Sequence, residues 1–281
     1  MTEAVGTSRA VRVGVHQPGY HRHLYYFYKM AISDVFVSLD HVQFVRSDWQ
    51  NRQVFVHEGA RRWLTVAVRG GREAIRRKVL ADPSALASHW DRITSVYRGT
   101  PYFSTYEGAL GEIYASSWTY LNDLCDALTD VARRGFAITT PYLRASHLMD
   151  EPEGAKGALL ADVVHRAADT VAPAGRERTP TYLACSHPMG EDHYLRRPSG
   201  HDPARAEHEV MEGRGVRVRT FDYRHPRYAQ AQHPPGLPFQ EELSAYDLLF
   251  NHGPEARDIL LGAGADVDAL ERPALYRIGG K

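Results

Sequence analysis

The chain has 281 residues, 43% of them hydrophobic and 24% charged, the balance of a folded globular protein and not of a disordered one. Lysine plus arginine and aspartate plus glutamate each total 34, so the broad positive field that draws a nucleic-acid duplex or an anionic membrane is missing. No stretch approaches the roughly 20 apolar residues of a membrane span, and Met1 to Ala10 has no signal-peptide core, which predicts a cytoplasmic protein with a ragged first ten residues.

Val11 to Val15 alternates apolar and polar side chains and predicts a strand, stopped by the turn pair Pro18-Gly19. His21 to Ser33 carries Leu24, Phe27, Tyr28 and Ile32 at helical spacing, and Val35 to Leu39 is an apolar run of the buried-strand type. Strand, helix and strand make a βαβ crossover, the start of a Rossmann-like, mostly parallel sheet flanked by helices. Gln53 to Val56 and Trp63 to Val68 predict a hairpin, and the basic, glycine-containing run Arg69 to Arg77 predicts a loop. Residues 83 to 135 read as a helical layer or insertion, with Leu121 to Ala132 its clearest amphipathic helix. Ile138 to Thr140 reads as a short strand, Lys156 to Ala168 as a helix, and Thr181 to Ala184 as a strand or helix start. Val216 to Asp222 predicts a strand, and Leu243 to Phe250 and Pro254 to Leu261 predict helices parted by the stop signal Asn251-His252-Gly253. The expectation is one α/β domain over residues 1–281.

Four polar segments follow or flank strands. His16-Gln17-Pro18-Gly19-Tyr20 lies past the first strand and before a helix, where open parallel sheets bind ligands and a helix start offers free N–H groups. Asp40-His41-Val42-Gln43 ends the next strand, and if the two strands are neighbours Asp40 can orient the His16 imidazole and raise its basicity. A strand-end His bonded to its own loop and an Asp serving as a turn or cap residue are the structural alternatives. Arg46, Trp49, Asn51 and Arg52 combine guanidinium forks, a flat apolar ring and an amide, a set suited to a polar ringed substrate or to a solvated loop. Asp222, Tyr223, His225, Tyr228 and Gln230 form a run of hydrogen-bonding groups after the last strand. Cys185 and His187, two apart on a strand, share a face, which admits a thiol nucleophile beside an inert core cysteine. Cys125 and Cys185 are too few for a disulfide framework and lack a metal-ligand spacing, so no metal is expected. The sequence has no GxGxxG after the first strand, no GxxxxGK[ST], no GxSxG and no HExxH, and no cofactor is expected.

Taken together, His16-Gln17-Pro18, Tyr20, Lys29 in the helix, Asp40 with Val42-Gln43-Phe44, Trp49-x-Asn51-Arg52, Trp63 to Val66, Tyr102-Phe103, Asp222-Tyr223-Arg224-His225-Pro226-x-Tyr228-x-Gln230 and Ser244-Ala245-Tyr246-Asp247-Leu248-Leu249-Phe250-Asn251-x-Gly253 resemble the WbqC-like protein family over nearly the whole chain. Ala184 to Leu195, with Pro188 and extra histidines, departs from the family's pattern and points to an altered pocket. The resemblance implies a biosynthetic role of the kind tied to O-antigen and secondary-metabolite pathways, with acyl or aminoacyl groups placed on amino sugars. On it rests the expectation of a transferase that joins a small-molecule amine to an activated acyl donor, free or carrier-bound. His16 and Asp40 would serve as base and orienter, and Gln17, Gln43 or loop N–H groups as oxyanion donors. Lys29, Arg46 and Arg52 would hold a phosphate or carboxylate, while Trp49, Tyr223 and Tyr228 pack on a ring; Tyr20, Asn51, Asp222, His225, Gln230 and Asn251 complete the binding set. An ATP-dependent ligase or nucleotidyltransferase, a non-catalytic sugar-binding scaffold and a Cys185 hydrolase are the alternatives. The sequence leaves the oligomeric state open.

Overall fold

The computed structural model describes residues 10–46, 48–149, 156–172, 179–185, 203–221 and 223–262. Five parallel strands form the main sheet: β1 (Arg12–His16), β2 (Val35–Ser38), β5 (Tyr142–Arg144), β6 (Thr181–Cys185) and β7 (Arg217–Phe221), laid side by side as β5-β2-β1-β6-β7. The chain starts in the middle, builds outward through β2 to β5, then returns to the other side of β1 for β6 and β7. The expected Rossmann-like α/β architecture is therefore present, with an antiparallel hairpin of β3 (Arg52–His57) and β4 (Ala60–Thr65) beside it.

Alternation along the strands divides the core between the two faces of the sheet. Val13, Val15, Val35 and Val37 pack with Leu160, Val163 and Val164 of α6 (Lys156–Val171), and Val218 packs with Met211 of α7 (Pro203–Gly213). Phe36, Leu183 and Phe221 face the other way, toward Leu24, Phe27 and Tyr28 of α1 (Leu24–Ala31). That second face is deepened by α2 (Ala85–Tyr97), α3 (Phe103–Ala115) and α4 (Leu121–Gly135), which occupy the expected helical stretch. In α4 the buried Leu121, Leu124, Cys125, Leu128 and Ala132 recur at the three- and four-residue steps of one helical face. α8 (Ala245–His252) seals this layer through Phe250, whose ring lies 4.9 Å from Tyr97 and 5.2 Å from Phe103. A short 3₁₀ turn, Gly253–Glu255, leads into α9 (Ala256–Gly262).

Three expectations are corrected. α1 begins at Leu24 and not at His21, because His21 takes a left-handed backbone (φ 51°) in a turn and His23 is extended (φ −78°, ψ 168°), which leaves residues 21–23 as a non-helical strap. That strap is pinned by Gln53 Nε2 to the His21 carbonyl (2.5 Å) and by the Ala245 amide to the Arg22 carbonyl (2.9 Å). The strand read at Ile138 to Thr140 lies instead at Tyr142–Arg144, past Pro141; Ala137 turns left-handed (φ 49°), and the Thr140 hydroxyl ties the linker to the Met30 carbonyl (3.0 Å). Helix α7 was not expected, and a single-turn helix, α5 (Ala145–Leu148), directly follows β5. Residues 1–9 and 186–202, including Pro188 and His187, lie outside the described residues.

Gly14 shows how closely α1 approaches the sheet. A Cβ there would stand 2.3 Å from Ser33 Oγ and 2.8 Å from the Phe36 ring, and Ser33 is fixed by its own bond to the Lys29 carbonyl (2.6 Å). Gly14→Ala is expected to lower stability by about 1–3 kcal/mol through overpacking, read from urea midpoints at constant slope. An unchanged midpoint would show that α1 can retreat at no cost.

Candidate active site at the carboxyl edge of the sheet

Chain order across the sheet reverses at β1, where one crossover leaves toward β2 and a later one returns to β6. In open parallel sheets such a switch point opens a crevice outside the carboxyl ends of the strands, and ligands bind there. His16 is the last residue of β1, half-buried, and its side chain is on the α1 face together with Gly14.

Both ring nitrogens of His16 are engaged. Nδ1 lies 2.9 Å from the Gln17 carbonyl, and Nε2 makes a very short contact with the Tyr25 hydroxyl. With the proton on Nδ1 the ring donates to Gln17 and Nε2 accepts from Tyr25; with it on Nε2 the ring donates to Tyr25 and Nδ1 accepts from Arg22. The rings of Tyr25 and Tyr26 meet the imidazole edge-on at 5.3 and 5.5 Å. Arg22, itself buried, brings Nη2 to 2.6 Å from the Gln17 carbonyl and to 3.1 Å from His16 Nδ1. Burial pushes the His16 pKa well below the usual imidazole value, and the charges of Arg22 and Lys29 push it the same way, against the opposing pull of the Gln17 hydrogen bond. The ring is thus a neutral imidazole at physiological pH, hydrogen-bonded to a phenol.

The loop that follows is held from below. Gln50 Nε2 donates to Gln17 Oε1 (2.8 Å), and the Tyr20 amide donates to the Gln50 carbonyl (3.1 Å). Gly19 admits the close approach of the Trp49 carbonyl and the Arg22 guanidinium, which a Cβ would meet at 2.5 and 2.6 Å. Beneath it, Tyr20 bonds His89 Nδ1 (2.9 Å) and the Tyr114 hydroxyl (2.7 Å), and Tyr114 in turn bonds His21. Burial holds His21 neutral, with its pKa lowered to about 3, and His89 likewise to about 4.

The expected site residues separate into those near His16 and those used elsewhere. Gln17 is in the loop; Tyr223 packs its ring 6.2 Å from Tyr25; Trp49 lies 4.2 Å from His23, whose ring is 6.1 Å from Tyr25. Asp40 does not orient His16. Its carboxylate accepts from the Ser146 amide (2.9 Å) and the Ser146 hydroxyl (2.5 Å), so it fastens the start of α5 to the end of β2. Tyr20 is fully buried in the network just described, its hydroxyl taken up by His89 and Tyr114. Lys29 is buried under β1, its Nζ donating to the Val15 carbonyl (2.7 Å) and standing 5.1 Å from the Tyr182 ring, and so acts on His16 through its charge rather than on a phosphate. Asn51 is buried and ties the hairpin through the Val66 carbonyl (2.8 Å), while Arg52 stacks on Trp63 at 4.1 Å. Gln43 and Arg46 are exposed, and Gln43 bridges to Ala74. Asp222 and the side chain of Cys185 lie outside the described residues.

Tyr228, Gln230 and Asn251 belong to a second polar cluster, centred on the buried carboxylate of Asp247. Oδ1 accepts from Tyr97 (2.9 Å) and Gln232 (2.5 Å), and Oδ2 from Tyr228 (2.9 Å) and Gln230 (2.9 Å). Asn251 adds a bond from the Ala231 amide to its Oδ1 (2.8 Å) and one from its own Nδ2 to Gln232 (3.0 Å). His225 closes on its neighbour, Nδ1 to the Pro226 carbonyl at 2.9 Å. These groups moor residues 224–242 to α8. Asp247→Ala, which strips four donors of their acceptor at once, is expected to cost about 3 kcal/mol or more. It should also speed tryptic cleavage at Arg224 or Arg227; an intact melting curve and cleavage rate would contradict the mooring.

Arg22, Tyr25 and Tyr26 were missed by sequence reasoning although they surround His16. For Tyr25 and Tyr26 the signal was helical arithmetic: once α1 is known to start at Leu24, its first turn faces the end of β1 across the crossover, whereas Arg22 lies in the strap before α1 and nothing local marks it.

A family profile described as the WbqC-like protein family matches residues 17–259. A Mycobacterium tuberculosis (strain ATCC 25618 / H37Rv) protein, named "Uncharacterized protein Rv1507c", is 27% identical over 241 residues, covering 84% of this chain and 91% of that one. With a match that starts at Gln17, directly after His16, and takes in the hairpin and the Asp247 cluster, this chain belongs to the WbqC-like protein family.

Proposed function

We propose that the protein is a biosynthetic transferase that forms an amide, passing an acyl or aminoacyl group from an activated donor to the amine of an amino sugar or a natural-product precursor. The observation that carries this reading is the neutral His16 imidazole at the switch point, hydrogen-bonded to Tyr25. In the reaction the amine nitrogen attacks the acyl carbon, forming the C–N bond as the C–S or C–O bond to the donor's leaving group breaks. The proton lost by nitrogen passes through the Tyr25 hydroxyl to His16 Nε2 and on to the leaving group. Gln17, fixed through Oε1 by Gln50, offers its NH₂ group to the oxyanion.

Membership of the family supports a biosynthetic role, and the strand-edge base fits proton removal from an amine. One observation favours a second reading, an ATP-dependent ligase or nucleotidyltransferase: counted in chain order, the sheet strands run 3-2-1-4-5, the order of the nucleotide-binding sheets that hold dinucleotides at their switch point. Fold alone is weak ground for that choice.

Coenzyme A thioesters, amino sugars, free amino acids and ATP, screened by thermal shift and then for turnover, separate the readings. Stabilisation by a thioester or an amino sugar supports acyl transfer, and stabilisation by ATP alone supports the ligase. His16→Ala is expected to cut turnover about 100- to 10,000-fold without altering the melting temperature. An unchanged rate removes His16 from the chemistry. Because burial and the two cations lower the folded-state pKa of His16, the acid limb of kcat, read with the amine saturating so that its own ionisation drops out, is expected below pH 6.5, the ordinary imidazole value.

A further inference from the structure

A cavity of about 300 Å³ lies between α4 and the β5–α5 junction. That is roughly twice the ~150 Å³ of an engineered apolar cavity that takes up benzene, and at the lower end of ligand pockets. It is level with His16. Pairing across the sheet matches His16 to Ser38 and Ser38 to Arg144, so Arg144 stands two strand spacings away, roughly 10 Å between Cα atoms. Residues paired laterally in a parallel sheet point to the same face, and Arg144 reaches α4 as His16 reaches α1.

The walls carry both signs of charge. Asp126 and Asp130 come from α4, Arg133 from the same helix, and Arg144 and His147 from the β5–α5 side, with Leu148 supplying an apolar wall. The charges are braced in place. Arg144 donates Nε to Asp126 (2.5 Å) and Nη2 to Asp123 (2.8 Å), Tyr142 donates to the second Asp126 oxygen (2.7 Å), and Arg133 bonds the Thr140 carbonyl (3.3 Å); the half-exposed Asp130 pairs with Arg134 through Oδ2 and keeps Oδ1 3.9 Å from Arg133, on the side that faces the cavity. Burial raises the Asp126 pKa, against the Arg144 charge and hydrogen bonds that hold it down. A lone anion would meet two carboxylates here and a lone cation two guanidinium groups. A small molecule carrying one charge of each sign, a few bonds apart, meets a partner for each.

We propose that this cavity binds an α-amino acid, its ammonium against Asp126 and Asp130 and its carboxylate against Arg133 and His147, with the side chain on Leu148. As the source of the aminoacyl or amine component this rests on the amide-forming reading; as a binding site it does not.

Isothermal titration of the full chain tests it, using the standard amino acids one at a time against ethylamine, acetate and inorganic phosphate. At least one amino acid is expected to bind at least tenfold more tightly than any of the three single-charge probes. Arg133→Gln and Leu148→Trp, one removing a charge and the other filling the space, are each expected to weaken it at least tenfold at an unchanged melting temperature. His16→Ala should leave that binding intact, so lost turnover with retained binding separates the two claims. No binding by any amino acid, phosphate binding as tightly as the best of them, or binding indifferent to both folded variants overturns the proposal.

Discussion

Two buried cations hold the end of β1. Lys29 donates to the Val15 carbonyl and Arg22 to the carbonyls of Gln17 and Pro18, so the last turn of the strand and the loop after it are gripped from the α1 side. Burying a charge costs several kcal/mol unless hydrogen bonds and neighbours offset it. Here the neighbours are strand-end carbonyl dipoles. The same positive charges border His16 and suppress its protonation, so the interaction that fixes the loop also sets the chemistry of the ring. The Tyr20, His21 and Tyr114 network beneath, and Gly19 pressed against Trp49, then leave the loop a single path.

A second polar centre works by opposite means. Asp247 is a fully buried carboxylate met by hydroxyls and amides, and its raised pKa has burial as the largest cause, with the hydrogen bonds pulling the other way. Four neutral donors converge on it from α2 and from residues 228–232, which turns a stretch with little regular secondary structure into a fixed part of the protein. Among the described residues no helix is long and apolar enough to cross a membrane.

Much of the fold was legible because it rests on local periodicity. The alternation of Val11 to Val15, the helical spacing of Leu24, Phe27 and Tyr28, and the apolar run at Val35 each encode their own burial, and together they foretold a parallel βαβ start. The site was less legible. His16 and Gln17 were found because a strand end before a helix is a place, whereas the partners of Asp40 were not, since Ser146 is 106 residues away and nothing local marks it. Tyr228, Gln230 and Asn251 look like binding groups when read as a string of donors; only the tertiary position of Asp247 gives them a structural use. Lys29, expected to hold a phosphate or carboxylate, misled for the same reason, because only the packing of α1 against the sheet turns its ammonium to the Val15 carbonyl.

The central claim is that His16 is a neutral imidazole held by Tyr25, its protonation suppressed by burial and by Arg22 and Lys29. NMR titration of the imidazole nitrogens in the full chain, with His16 assigned by comparison with His16→Gln, measures it directly. The account predicts a His16 midpoint well below 6.5, rising when Arg22 is replaced by Gln in a variant that still folds. A midpoint at or above the ordinary imidazole value, or one that ignores the loss of Arg22, would contradict it.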